Sequence, residues 1–164
     1  MEKSTIHQYC TTVRWTGNKG VGTTDYQSYE RDYLVSAEFK PDLLGSSDPA
    51  FRGDRTRYNP EDLLVSSLAA CHMLWYLHCC AVEGVVVLAY EDSATGVLLE
   101  GEQGAGHFTE VVLRPKVTVA AASMLEKAIA LHHRARAFCF IANSVNFPVL
   151  HQPTVRVEDG SLPG

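Results

Sequence analysis

From Leu63 to Leu77 the chain carries a run apolar enough that it has to lie inside something. The residues before it open a helix. Asn59 can cap it, Pro60 suits the first helical position, and Glu61 and Asp62 favour the positive end of the dipole. Gly84 supplies the stop. Leu64, Leu68, Cys71, Trp75 and His78 recur at helical spacing on one face, while Val65, Ala69, Met73 and Tyr76 occupy the other side. A helix apolar on most sides belongs at the centre of a fold, or under a partner chain. His72 and His78 break the run before it cleanly reaches membrane-spanning length, so membrane insertion is not expected.

Around this helix the pattern is mostly strand. Tyr9 to Trp15 is rich in strand formers, and Gly17, Gly20 and Gly22 punctuate the loop that follows. Tyr33, Val35, Ala37 and Phe39 alternate as in a half-buried strand, which Pro41 ends. Residues 45–59 form a long polar connection containing Arg52, Arg55 and Arg57. Val85–Tyr90 and Val97–Glu100 read as strands joined through Ser93–Gly96. A longer strand places Val111, Leu113, Val117 and Val119 on one face, interrupted at Pro115. Ser123 with Glu126 matches a capping box for a second helix, with Ala128, Leu131, Ala135 and Phe138 as its apolar stripe. Thr154–Val157 suggests a last short strand. The expected class is α+β, helices laid on a meander of antiparallel strands.

At 164 residues and 46% apolar the chain fits one domain, 1–164, able to bury a sizeable core. A formal charge of −5 argues against nucleic acid, which calls for a basic face. Five cysteines are too few for a disulfide framework, and an odd number leaves one thiol unpaired. Met1–Thr5 lacks the apolar stretch of a secretory signal, so a cytoplasmic location is expected.

Two of these cysteines frame the chemistry. Cys71 interrupts the apolar helix, and Cys139 follows the basic stretch His132–Arg136 near the end of the second one. Buried cysteine often serves as a small hydrophobe. A redox pair would instead need a thiolate, a charge to stabilise it and a second thiol within reach. An arginine can provide the charge, and Glu61 can orient an arginine through a bidentate ion pair. Glu61 lies ten residues before Cys71, about 15 Å along a straight helix, and cannot touch it directly. Cys79 and Cys80 face about 100° apart on a helix and read as packing residues; Cys10 is assigned no role. His72, His132, His133 and Cys139 match no compact metal-ligand spacing, and no adjacent residues establish a Cys-His hydrolase.

The chain resembles the family of osmotically inducible (OsmC) and organic hydroperoxide resistance (Ohr) proteins, from Trp15-Thr16-Gly17 through Pro153. The sharpest elements are Asn59-Pro60-Glu61-Asp62-Leu63-Leu64, then Ala69-Ala70-Cys71-His72-Met73, then Ala137-Phe138-Cys139-Phe140-Ile141-Ala142-Asn143-Ser144. The run from His72 to His78 is more similar to the osmotically-inducible-protein-like subgroup. This resemblance implies an OsmC-like fold and an intertwined homodimer with the cysteine-bearing helices central. It also implies a thiol peroxidase without haem, flavin or metal. Cys71 would be oxidised by an organic hydroperoxide to a sulfenic acid, Cys139 would resolve it, and an external thiol, such as a dithiol lipoyl group, would restore both. Glu61 matches the family glutamate that orients an arginine, for which Arg55, Arg57, Arg52 and Arg31 compete. The loop arginines Arg55 and Arg57 are preferred. Cys139 lacks the Cys-Pro context common in the hydroperoxide resistance proteins. The rival readings are a non-catalytic dimeric binding protein, with both thiols inert in the fold, and a thiol redox sensor.

Overall fold

The computed structural model describes residues 5–158. They form two compact units, divided between Leu63 and Leu64.

The first unit is built on a small antiparallel sheet of β1 (Thr12–Trp15), β2 (Tyr33–Ser36) and β3 (Leu43–Gly45) in that order. Its strands are shorter than the sequence pattern suggests. At Phe39 the backbone turns to φ 61° and the ring is exposed, so the alternation beyond Ser36 belongs to a turn. Gly17 is required where it stands: a Cβ there would fall 1.9 Å from the Glu30 carbonyl oxygen. The 45–59 connection is tied down from within. Ser46 is fully buried, donates its N–H to the Tyr58 carbonyl (3.1 Å) and accepts from the Asp54 N–H (3.0 Å). Asp48 caps a 3-10 turn over Pro49–Phe51.

Helix α1 (Pro60–Val82) starts as its sequence predicts. Asn59 accepts from the Asp62 N–H at 2.7 Å and Asp62 accepts from the Asn59 N–H at 3.3 Å, a reciprocal cap. It ends at Gly84 with φ 73°, where Val85 N–H reaches back to the Cys80 carbonyl. Its buried stripe differs from the expected one by a residue. Leu68, His72, Tyr76, Cys79 and Cys80 are buried, Cys71 and Trp75 are half-buried, and Leu74 and His78 are exposed. The reason is polar: His72 and Tyr76 face inward because partners await them there. By length and composition this helix could cross a membrane; its inward face meets His132 and the Ala128 carbonyl through His72 and Tyr76.

The second unit corrects the antiparallel meander. Its sheets are mixed. One runs β4 (Val87–Asp92), β7 (Pro115–Val119), β9 (Thr154–Val157); the other runs β5 (Thr95–Glu100), β6 (Gly106–Leu113), β8 (Val149–His151). β4–β7 and β5–β6 are antiparallel, whereas β6–β8 and β7–β9 are parallel. Parallel pairing needs a crossover, and helix α2 (Leu125–Phe138) provides it. The single strand expected across Val111–Val119 is two strands in different sheets, broken at Arg114, whose N–H donates to Asp92 Oδ1 at 2.7 Å. Pro115 sits at the first position of β7, where its missing N–H is tolerated. A 3-10 turn over Ala122–Met124 precedes α2, so Ser123 does not cap it.

Two clusters make up the core. Leu68 packs with Val111, Leu113 and Val149. Tyr76, Cys79 and Cys80 pack with Val117, Val119, Ala128, Leu131 and Ala135. Each fully buried aliphatic side chain contributes about 1.5–3 kcal/mol.

Candidate active site

The facing residues of α1 and α2 show how the two cysteines meet. Tyr76 Oη donates to the Ala128 carbonyl at 3.1 Å, and His72 Nε2 lies 3.0 Å from His132 Nδ1. Trp75 stacks on Phe138 with ring centroids 5.3 Å apart. From the His72–His132 pair to the Tyr76–Ala128 pair the numbers rise on one helix as they fall on the other, so the helices run antiparallel there, and Cys71 is the neighbouring side chain that acts on the Cys139 thiol.

The two thiols differ in environment. Cys71 is half-buried; Cys139 is buried, at the C-terminal cap of α2. Burial, and then the adjacent Cys71 side chain, push the Cys139 thiol up to about 11. The Ala142 N–H points at its sulfur from 3.4 Å and partly opposes that shift. Both cysteines are free. An aromatic rim flanks them: Phe138 and Phe140 are exposed, and Trp75 meets Phe140 edge-on at 5.5 Å.

Next to the thiols lies a buried polar cluster that sequence spacing did not reveal. The rings of His72, His132, His151 and Tyr76 lie close together, with His72–His151 centroids 4.3 Å apart and Tyr76–His132 centroids 3.9 Å apart. Desolvation first, then neighbouring charge, lowers His72 to about 3 and His132 and His151 to about 4. All three imidazoles are therefore neutral near pH 7. The signal available beforehand was weak: His72 and Tyr76 are four apart, and His132 sits in the Ala128–Ala135 stripe. Among the described residues no group of three His, Cys, Asp or Glu side chains could hold a metal ion.

In the first unit the candidate arginines have distinct surroundings. Arg57 is partly buried and bound to Asp32 (3.3 Å) and Asp54 (3.3 Å). Arg31 donates to the Tyr29 and Tyr26 carbonyls and lies 4.2 Å from both tyrosine ring centroids, which makes it a structural clamp. Arg52 adopts a left-handed conformation at the end of the 3-10 turn. Arg55 is exposed. Glu61, in the first turn of α1, forms no ion pair among the described residues; its charge helps to raise the Tyr33 phenol, after burial. Cys79 and Cys80 are buried, and burial raises the Cys80 thiol. Cys10 is exposed.

No curated protein matches the chain in sequence. Among solved structures, an OsmC-like protein of unknown function from Vibrio cholerae O1 biovar eltor is 30% identical, with a TM-score of 0.82 over 91% of this chain and 100% of that one. A second Vibrio cholerae protein, described as an organic hydroperoxide resistance protein and carrying captopril in one of its active sites, is 25% identical. Its TM-score is 0.60 over 94% and 95% of the two chains. An organic hydroperoxide resistance protein from Elizabethkingia anophelis shares the fold at 17% identity, with a TM-score of 0.65 over 93% and 99%. The family model for OsmC-like proteins matches residues 53–152, a span that holds α1, α2 and both cysteines, and the chain belongs to that family.

Proposed function

We propose that this protein is a thiol-dependent peroxidase that reduces organic hydroperoxides. The observation that carries the reading is the adjacency of a half-buried Cys71 to a buried Cys139 whose thiol is pushed up to about 11. The more accessible sulfur meets the peroxide; the other keeps its proton until it is needed. Family membership supports thiol redox chemistry at this place.

The reaction begins with the Cys71 thiolate attacking the distal peroxide oxygen. A sulfur–oxygen bond forms, the oxygen–oxygen bond breaks, and the alkoxide leaves and takes a proton to become an alcohol. The Cys139 thiol then displaces hydroxide from the Cys71 sulfenic acid. A disulfide forms, and the Cys139 proton leaves with the hydroxide as water. An external dithiol, of which a lipoyl group is one chemical example, reduces the disulfide and is itself oxidised. No metal or redox cofactor enters this cycle.

An arginine stabilises the charge on sulfur and departing oxygen. Arg57 would have to leave Asp32 and Asp54 to do so, whereas Arg55 is exposed and carries no such tie among the described residues. We therefore assign the role to Arg55, with Glu61 orienting it once substrate is bound. Trp75, Phe138 and Phe140 favour an apolar peroxide substituent over hydrogen peroxide. The chain acts as a single OsmC-like domain over 1–164, paired as a cytoplasmic homodimer.

The test adds one equivalent of cumene hydroperoxide to the fully reduced protein and maps cysteines by mass spectrometry. A rapid Cys71–Cys139 disulfide, absent in Cys71→Ser, is the expected result. Cys71 left unmodified in the folded protein would overturn the cycle and favour a binding role with inert thiols.

A further inference from the structure

Helix α2 and strand β8 enclose a second cleft, of about 500 Å³, that the peroxidase cycle does not use. Its lining holds one fixed positive charge, Arg136, beside the imidazoles of His132, His133 and His151, with no carboxylate. That is unexpected in a chain with 19 acidic residues against 14 basic ones. Arg136 forms no ion pair among the described residues, and its charge reaches His151, whose affinity for a proton it lowers. His132 is 3% exposed, and its Nε2 has no hydrogen-bond partner; nor has that of His151. Ile129, Leu150 and Pro153 supply the apolar part of the wall, and both Ile129 and Leu150 are exposed.

We propose that this cleft binds a small organic acid, a carboxylate carrying a short apolar chain. The guanidinium of Arg136 is free to take a carboxylate in a two-pronged bond. The two Nε2 atoms are shielded from solvent and lack a partner, which is costly, and a ligand oxygen that opens the cleft wall to reach them would supply one. The tautomers are compatible. When His72 donates through Nε2, His132 accepts at Nδ1 and carries its own proton on Nε2, the form an anion selects. The volume is that of a small-molecule pocket, and the apolar wall would take the ligand's chain. Neither the cleft nor this argument depends on Cys71.

Sodium octanoate is the probe, titrated into the full chain by calorimetry with inorganic phosphate and 1-octanol as comparisons. Octanoate should bind best. Arg136→Gln should weaken it at least tenfold, while Arg134→Gln, whose side chain is held by Glu83 and does not line the cleft, should leave it unchanged. On the unaltered protein, the ring resonances of His132 and His151 should shift on saturation. No octanoate binding, equal affinity for octanoate and phosphate, full binding in Arg136→Gln, or unmoved ring resonances would each overturn the proposal.

Discussion

His72 is fully buried, flanked by His132 and His151, and its Nδ1 has no partner. An imidazole ordinarily takes up a proton near 6.5, but these three resist until about 4 or below, because a charged ring there would lose its water. Between those values the unfolded chain binds more protons than the folded one, so stability falls as pH drops from about 6.5 to about 4. Each unit of depression corresponds to about 1.4 kcal/mol, large against a total of about 5–15 kcal/mol. Asp92, raised by burial, works in the opposite direction at the acid end of the range. The urea midpoint should therefore decline steeply from pH 7 to pH 5. In His72→Gln the starting stability should be lower and the decline shallower; an unchanged slope would refute this account.

The helices end and begin by different chemistry. Asn59 and Asp62 satisfy each other's backbone N–H, whereas α2 grows out of a 3-10 turn with no side-chain cap. Asn59→Ala should cost about 1 kcal/mol in chemical denaturation. Ser123→Ala, at an exposed residue that caps nothing, should stay within about 0.5 kcal/mol. The first of these contacts was legible because Asn, Pro and two acids in sequence form a local signal. Ser123 and Glu126 have the same spacing, but the chain there settles into a tighter turn, and motif spacing alone does not distinguish the two. The inward face of α1 was misplaced by one residue for another reason. Apolar periodicity favours Cys71 and Trp75, whereas His72 and Tyr76 are drawn in by a hydrogen-bond acceptor and a ring nitrogen on α2, some fifty to sixty residues away. Non-local polar partners leave no periodic trace. The cysteine pair was readable as a candidate from its motifs; the histidine cluster beside it was not.

At the scale of the whole molecule, several large apolar side chains on the second unit remain uncovered. Leu74 is 63% exposed on α1, Val97, Leu98 and Leu99 lie open along β5, and Phe138 and Phe140 flank Cys139. Scattered exposed hydrophobes are normal, but a helix this apolar with an open face fits the homodimer proposed above. Light scattering should give a mass of twice 18.0 kDa, and Leu74→Glu should shift the population toward monomer. A wild-type protein that is monomeric at all concentrations would remove the dimer from the proposal.

The two parallel pairings have a consequence for how the chain comes to be. β8 and β9 complete the two sheets by pairing with β6 and β7, about forty residues earlier. Until those last strands emerge during synthesis, Val111–Leu113 and Val117–Val119 present open edges, and neither half-sheet is complete. Assembly of this unit therefore waits for β8 and β9 and depends on closing long loops, which makes it slow relative to helix formation. A nascent chain halted before Val149 would expose two unpaired strand edges open to pairing with another chain.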